Sequence, residues 1–274
     1  MKIFNDPLKL QKWAKAQSKA GKKIALVPTM GYLHEGHLSL IEKAKAMKAD
    51  EIIVSVFVNP VQFGPNEDYE KYPRDEKADL AKCKAAGATA ILFPTPANMY
   101  LDRHSVYVTE EDLSKGLCGA RRPGHFRGVC TVVAKLFNLA HADFAVFGQK
   151  DYQQAQIIKR MVRDLNFDLK IVVAPIVREP SGLARSSRNT YLSAEEKDRA
   201  LALSRSLKSV TVGKSVKSEQ ARIVKALEQS GLQVDYVEFV DGETLDPVKK
   251  TAKGVCVLLA VFDGKTRLID NRVL

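Results

Sequence analysis

The chain has 274 residues, 45% hydrophobic and 27% charged, a balance that suits a folded globular protein longer than one average domain. Its longest apolar runs, Ile52–Val58 and Val255–Phe262, fall far short of the about 20 residues that span a bilayer. No apolar leader core follows Met1-Lys2-Ile3, so the expected location is cytoplasmic, with no membrane contact.

The net charge of +11 favours anionic partners. A basic RNA-binding protein is one reading of it, but the lysines are scattered along helical stretches (Lys9, Lys12, Lys15, Lys19; Lys43, Lys45, Lys48). No nucleic-acid recognition module is legible, so no nucleic-acid partner is expected. Four dispersed cysteines without a Cys-x-x-Cys pair read as reduced thiols, not as a disulfide frame or zinc knuckle.

In chain order, Lys23-Ile-Ala-Leu-Val-Pro28 reads as a strand, and His37, Leu40, Ile41 and Ala44 then recur at helical spacing. A β-branched strand follows at Ile52–Val58, a helix from Pro73 to Ala86 closed by Gly87, and a strand at Ala90–Phe93. Val129, Val132, Val133, Leu136, Phe137 and Ala140 trace one helical face. Asp143–Phe147 is again a strand, the segment after Tyr152 a helix, and Lys170–Ala174 a strand. Alternating strands and helices predict a doubly wound, Rossmann-like parallel-sheet α/β domain over residues 1–178.

Past Pro180 the pattern changes. Ser193-Ala-Glu-Glu196 is a capping box opening a helix to about Val210, and a second helix runs from Ser218 to Gln229. Strands follow at Val234–Val240, Gly254–Phe262 and Arg267–Ile269, the last two joined by an Asp263-Gly264 turn. Residues 179–274 are therefore expected to form a smaller α+β domain.

Open α/β sheets bind ligands at the carboxyl ends of their strands, and the unusual polar residues cluster there. After the first strand, His34 and His37 enter a helix beside Gly31 and Gly36. Imidazoles at a helix N-terminus can donate to phosphates as charge builds; they can equally serve as a polar cap. The zinc motif His-Glu-x-x-His is not matched by His-Glu-Gly-His. Asn59 and Gln62 suit a hydroxyl-bearing substrate, or ordinary turn chemistry. Lys150 can neutralise phosphates, and Asp151 can hold Mg²⁺ or contact a ribose, or cap a helix with Gln154 as its partner. Ser186 and Ser187, flanked by Arg185 and Arg188, read as a triphosphate clamp or as a protease-sensitive surface loop. Arg121-Arg122-Pro-Gly-His125 is a further basic turn opening a helix. Neither a dinucleotide fingerprint, a P-loop nor a Gly-x-Ser-x-Gly elbow is present.

His34-x-Gly-His37 resembles the His-Ile-Gly-His box of the nucleotidylyltransferase superfamily, which includes class I aminoacyl-tRNA synthetases. Arg185-Ser-Ser-Arg188 is similar to that superfamily's second phosphate loop. Pro28-Thr-Met-Gly-x-Leu-His-x-Gly-His37, Asn59-Pro-x-Gln-Phe63, Arg122-Pro-Gly-His-Phe-Arg-Gly128, Lys150-Asp-x-Gln-Gln154 and Ser186-Ser-Arg-Asn189 together resemble, in order, the pantothenate synthetase family.

That resemblance implies an ATP-dependent, AMP-forming ligase that joins (R)-pantoate to β-alanine through pantoyl-adenylate, with Mg²⁺ accompanying ATP and a homodimeric assembly. It implies an ATP site of Met30, Gly31, Tyr32, Leu33, His34, Glu35, Gly36 and His37, with Gly148, Gln149, Lys150, Asp151, Val177, Arg185, Ser186, Ser187 and Arg188. Among these His34, His37, Lys150, Ser186, Ser187 and Arg188 carry the catalysis. Gln62, Gln154 and Asn59 fall to pantoate, and the C-terminal domain to a lid. Arg185 departs from the apolar residue common in relatives, leaving a phosphate contact or a solvent position open. The alternative is another adenylyl- or cytidylyl-transferase of the superfamily.

Overall fold

The structure, a computed structural model, describes residues 1–65 and 67–274. The chain divides into two compact units, Met1–Gly148 with Gln154–Ala174, and Gln149–Gln153 with Pro175–Leu274.

The first unit runs β1 (Lys2–Phe4), α1 (Pro7–Lys19), β2 (Ile24–Thr29), α2 (Glu35–Ala46), β3 (Glu51–Val56), α3 (Glu76–Ala86), β4 (Ala90–Leu92), α4 (Pro96–Met99), α5 (Leu117–Arg121), α6 (His125–Ala140), β5 (Phe144–Gly148), α7 (Tyr152–Asp164) and β6 (Lys170–Ala174). Among the described residues its strands form a six-stranded parallel sheet, ordered β1-β4-β3-β2-β5-β6.

Ile24, Ala25, Leu26 and Val27 are all fully buried, as expected for a parallel strand covered on both faces. Ala25, Val27, Ile52, Val54 and Ile91 pack with Leu40, Ile41 and Ala44 of α2 and Cys83 of α3. The alternate face of β2 is covered by α1 and α6. From β2 the chain steps outward through β3 and β4 and resumes on the other side at β5, so the switch point lies between β2 and β5. The β2–β3 ladder runs from Ile24 to Thr29, whereas the β2–β5 ladder ends at Leu26↔Ala145. The carboxyl ends of β2 and β5 thus part where a ligand is expected.

Some expectations for the first unit need correction. The helix expected from Pro73 starts at Glu76, because Asp75 caps it: Asp75 Oδ1 accepts from the Ala78 N–H at 2.9 Å. Its end at Gly87, φ +93°, is as expected. Helix α6 buries far more than one face, since Cys130, Thr131 and Ala134 are enclosed as well. Asp151 closes a 3₁₀ turn, Gln149–Asp151, that runs straight into α7.

The second unit contains α8 (Ala194–Lys208), α9 (Val216–Gln229), β7 (Gln233–Asp241), β8 (Val255–Asp263) and β9 (Thr266–Val273). Its antiparallel sheet is ordered β7-β8-β9. The Ser193 capping box forms as read: Ser193 Oγ accepts from Glu196 N–H at 3.2 Å, and Glu196 Oε2 from Ser193 N–H at 2.7 Å. Val255, Val257, Leu259 and Val261 pack with Leu203 and Leu207 of α8 and Ile223 and Leu227 of α9. Strand β9 continues past the expected Ile269 to Val273. Its hidden half contains Asp270 and Asn271, both buried. Among the described residues no helix is long and apolar enough to cross a membrane.

Candidate active site

The loop after β2 turns through Gly31 (φ +86°) and Tyr32 (φ +51°) before α2 begins. A Cβ on Gly31 would lie 2.8 Å from Val56 Cγ1 and 2.9 Å from Asp79 Oδ2, so both space and backbone demand glycine. Asp79, buried on α3, accepts the Tyr32 N–H at 2.8 Å and the Leu33 N–H at 2.7 Å. Lys82, one turn along α3, donates to the Leu33 carbonyl at 2.6 Å. Met30 to Leu33 is therefore clamped from outside its own segment.

His34 is the N-cap of α2 and His37 its third residue. His34 Nδ1 accepts from Gly36 N–H at 3.1 Å, and His37 Nδ1 accepts from His34 N–H at 3.3 Å. The rings lie 4.1 Å apart, tilted by 39°. A nitrogen that accepts a hydrogen bond carries no proton, so each neutral ring holds its hydrogen at Nε2. The pair is a cap and a pair of Nε2–H donors at once, at the positive end of a helix dipole. Glu35, between them, is exposed.

After β3, Asn59 caps a 3₁₀ turn, Pro60–Gln62, that Gln62 ends. Asn59 is 1% exposed and Gln62 8%. Asn59 Nδ2 donates to Gln62 Oε1 at 3.0 Å and to the Gly128 carbonyl at 3.1 Å. Its Oδ1 accepts from Val61 N–H at 3.3 Å and from the Tyr100 hydroxyl at 2.7 Å. Gln62 Nε2 approaches Met30 Sδ at 3.2 Å. A Cβ on Gly128 would fall 2.6 Å from the Gln62 backbone, so α6 can approach this turn only through glycine.

The Arg122–Gly128 string closes the turn from behind. Arg122 Nε donates to Glu67 Oε1 at 2.7 Å, and its Nη1 lies 3.0 Å from His125 Nε2. Since the guanidinium only donates, His125 Nε2 accepts and its Nδ1–H points at the Gln62 carbonyl, 2.9 Å away. Burial pushes the Glu67 carboxyl up, but the hydrogen bond and charge of Arg122, helped by the Gly64 backbone, outweigh it and hold the group below its ordinary value.

In the second unit, Asn271 Nδ2 donates to the Gln149 and Lys150 carbonyls, both at 2.9 Å, and its Oδ1 accepts from Gln149 Nε2 at 3.2 Å. Lys150 Nζ stands 4.0 Å from Asp151 Oδ1, and Asp151 is exposed. Val177 accepts the Arg185 N–H at 2.9 Å and Glu179 N–H donates to Leu183 at 2.8 Å, closing a tight turn around Gly182, φ +101°. Arg178 grips buried Asp270 through two bonds, 2.7 and 2.9 Å. Ser186 caps the short 3₁₀ helix Ser187–Tyr191, accepting from Arg188 N–H at 3.2 Å. Buried Asn189 donates to Glu179 Oε1 at 3.1 Å and to the Ala184 carbonyl at 3.0 Å. Arg185 does not simply point to solvent: its Nη1 lies 3.8 Å from Glu179.

The profile of the pantoate-beta-alanine ligase family matches residues 2–273. The pantothenate synthetase of Clostridium novyi (strain NT) is 53% identical over 268 residues, covering 96% of this chain and 94% of that protein. That of Thermotoga neapolitana is 49% identical, with both chains covered in full. The chain belongs to the pantoate–β-alanine ligase family. It is an ATP-dependent ligase.

Solved members of the family share its fold. The crystal structure of pantothenate synthetase from Thermus thermophilus superposes with a TM-score of 0.88 at 39% identity, over 100% of this chain and 99% of that one. Pantoate-beta-alanine ligase from Francisella tularensis, complexed with beta-gamma ATP and beta-alanine, gives 0.84 at 33%, over 100% and 97%.

Within the first unit, the loop and helix start carrying Met30 to His37 and the turn carrying Asn59 and Gln62 meet, the Gln62–Met30 contact joining them. Gln154 is half-buried on α7. Sequence reasoning missed most of the residues that hold these groups: Asp79, Tyr100, Asn271 and the Arg178–Asp270 pair. Asp79 offered one signal, its spacing of four from Cys83 on an otherwise charged helix, which marks an inward stripe.

Proposed function

We propose that this ligase forms pantothenate in two steps. The (R)-pantoate carboxylate oxygen attacks the α-phosphorus of ATP, the bond to the β-phosphate oxygen breaks, and pyrophosphate leaves. The β-alanine amine then adds to the acyl carbon of pantoyl-adenylate and AMP departs. The observation that carries this reading is the histidine pair, two Nε2–H donors held by backbone caps at the mouth of a parallel sheet.

Each assigned residue has a task that needs no covalent nucleophile. His34 and His37 donate to phosphate oxygens, with Met30, Gly31, Tyr32, Leu33, Glu35 and Gly36 lining the nucleotide. Gln62 and Gln154 orient pantoate so that its carboxylate meets phosphorus in line. In the second unit, Lys150, Ser186, Ser187 and Arg188 supply charge and donors to phosphate oxygens. Gly148, Gln149, Asp151, Val177 and Arg185 border the nucleotide. We assign the second unit the role of lid, excluding water from the reactive anhydride.

Mg²⁺ would neutralise phosphate charge, with Asp151 as its carboxylate. Among the described residues no group of three or more His, Cys, Asp and Glu is placed to cage a metal. An exposed carboxylate plus substrate phosphates is, however, a usual magnesium site. The assembly is a cytoplasmic homodimer in this reading.

The test is pyrophosphate release from ATP with β-alanine omitted. Stimulation by pantoate is expected. Release that ignores pantoate, or that requires CTP, would instead indicate another nucleotidylyltransferase.

A further inference from the structure

Asn59 shows a side chain with nothing left to offer. A primary amide has two donors and two acceptor lone pairs. At Asn59 the donors go to Gln62 Oε1 and Gly128 O, and the lone pairs take Val61 N–H and the Tyr100 hydroxyl. With 1% exposure, it has no free valence for a ligand.

Its orientation follows from its partners. The Val61 N–H can only donate and the Gly128 carbonyl can only accept, so Oδ1 and Nδ2 of Asn59 cannot be exchanged. Nδ2 therefore faces Gln62 and can only donate to it, which makes the facing Gln62 atom Oε1. Gln62 must then turn its Nε2–H₂ away, towards Met30 and the space beside it. The buried amide is thus locked as a donor, the polarity that an ionised carboxylate or a hydroxyl oxygen needs.

Of the two bonds on Asn59 Oδ1, that from Val61 is long at 3.3 Å, whereas that from Tyr100 is 2.7 Å. Tyr100 sits at the end of α4, far from Asn59 in sequence, and its phenol has to be the donor, because Oδ1 only accepts. A donor on the carbonyl of an amide also polarises its N–H groups, strengthening the bond to Gln62.

We propose that Tyr100 is a positioning residue for the acid's subsite, acting through Asn59 to strengthen the bond that holds the Gln62 amide turned outward as a hydrogen-bond donor. Asn59 is the relay, not a ligand contact. This rests on the assignment of Gln62 to pantoate.

The test is steady-state kinetics of Tyr100→Phe, Gln62→Ala and the double variant, varying pantoate and ATP separately. Tyr100→Phe is expected to raise the KM for pantoate by about fivefold to tenfold while the KM for ATP stays put, the scale of one lost buried hydrogen bond. In the Gln62→Ala background the same change should add nothing, because the relay then has no end. Wild-type kinetics for Tyr100→Phe, an equal loss for both substrates, or a full additional loss on top of Gln62→Ala would overturn the proposal.

If Gln62→Ala itself leaves the pantoate KM unchanged, the subsite assignment fails, and that outcome is distinct from failure of the relay. Asn59→Asp gives a second route should Tyr100→Phe fold poorly. The new carboxylate keeps both acceptor positions but cannot donate, so the Gln62 amide turns over. A pantoate KM raised more than about tenfold with ATP unaffected is expected; an unchanged value overturns the relay.

Discussion

The backbone N–H of His34 is bonded to the ring of His37, 3.3 Å away at Nδ1. The same imidazole therefore holds the helix start through Nδ1 and, when neutral, keeps its one N–H at Nε2. Glutamine, like glutamate, serves at that position of a capping box, so His37→Gln separates the two roles. His37→Ala should lower the melting temperature by the equivalent of about 1 kcal/mol and cut adenylation by at least about tenfold. His37→Gln should recover the melting temperature and not the rate. Recovery of both, read by thermal melts and pyrophosphate release, would reduce His37 to a cap.

Lys150 is held in the second unit through the Asn271 bond to its carbonyl, with its ammonium at the edge of ion-pair distance from Asp151. Its replacement should therefore disturb charge and spare the fold. Lys150→Ala is expected to lower the adenylation rate by about tenfold or more with an unchanged melting temperature. Near-normal turnover would remove it from the mechanism.

Asp79 receives two backbone N–H groups, and a carboxamide can face only one of them with oxygen. Asp79→Asn is expected to cost about 2 kcal/mol of stability, the scale of a buried donor left unpaired. It should raise the KM for ATP while that for pantoate holds. Equal effects on the two would show that the Met30–Leu33 loop serves both subsites.

Much of this was readable in advance, for a physical reason. Strands β2, β3 and β5 are buried on both faces, so their sequences are mostly apolar, and the turns that follow them carry the unusual polar residues. Asp79 was only faintly readable: it shares α3 with Glu76 and several lysines, so apart from its spacing to Cys83 it looks like solvent-facing surface. Asp270 and Asn271 hid the end of β9 in the same way, because polar residues that bond to neighbouring side chains and carbonyls imitate a turn. Tyr100 follows a four-residue helix that has no periodicity to read. Helix α6 was found by its valines, while the burial of Cys130 and Thr131 was invisible in a pattern that counts only large apolar groups.

The Arg122–Glu67 pair predicts the acid limb of stability. The Glu67 carboxyl sits below its ordinary value of 4.5. A carboxyl lowered by folding stabilises above the unfolded value and loses that contribution as pH falls through the folded one. The melting temperature of the wild type should therefore fall more steeply below pH 4.5 than that of Glu67→Gln. Parallel acid limbs would deny the pair any net role.

The alkaline limb has the opposite sign. Burial, with the Asp79 carboxylate nearby, pushes the Cys83 thiol from 9.0 up to about 12, and burial with Glu110 does the same for Cys130. Groups raised by folding stabilise fully below the unfolded value and lose that contribution as pH rises beyond it. Melting temperature should fall between pH 9 and 12, less so in Cys83→Ala. Native protein at about pH 8 should resist alkylation at both thiols until it unfolds; prompt labelling would contradict their enclosure.

Gly128 and the Gln62 turn touch so closely that no atom fits between them. Their histories are consequently tied. A lineage cannot gain even a methyl group at residue 128 without displacing the backbone that carries Gln62, so any drift there must be answered across the fold. The two positions behave as one heritable unit despite the long stretch of chain that parts them.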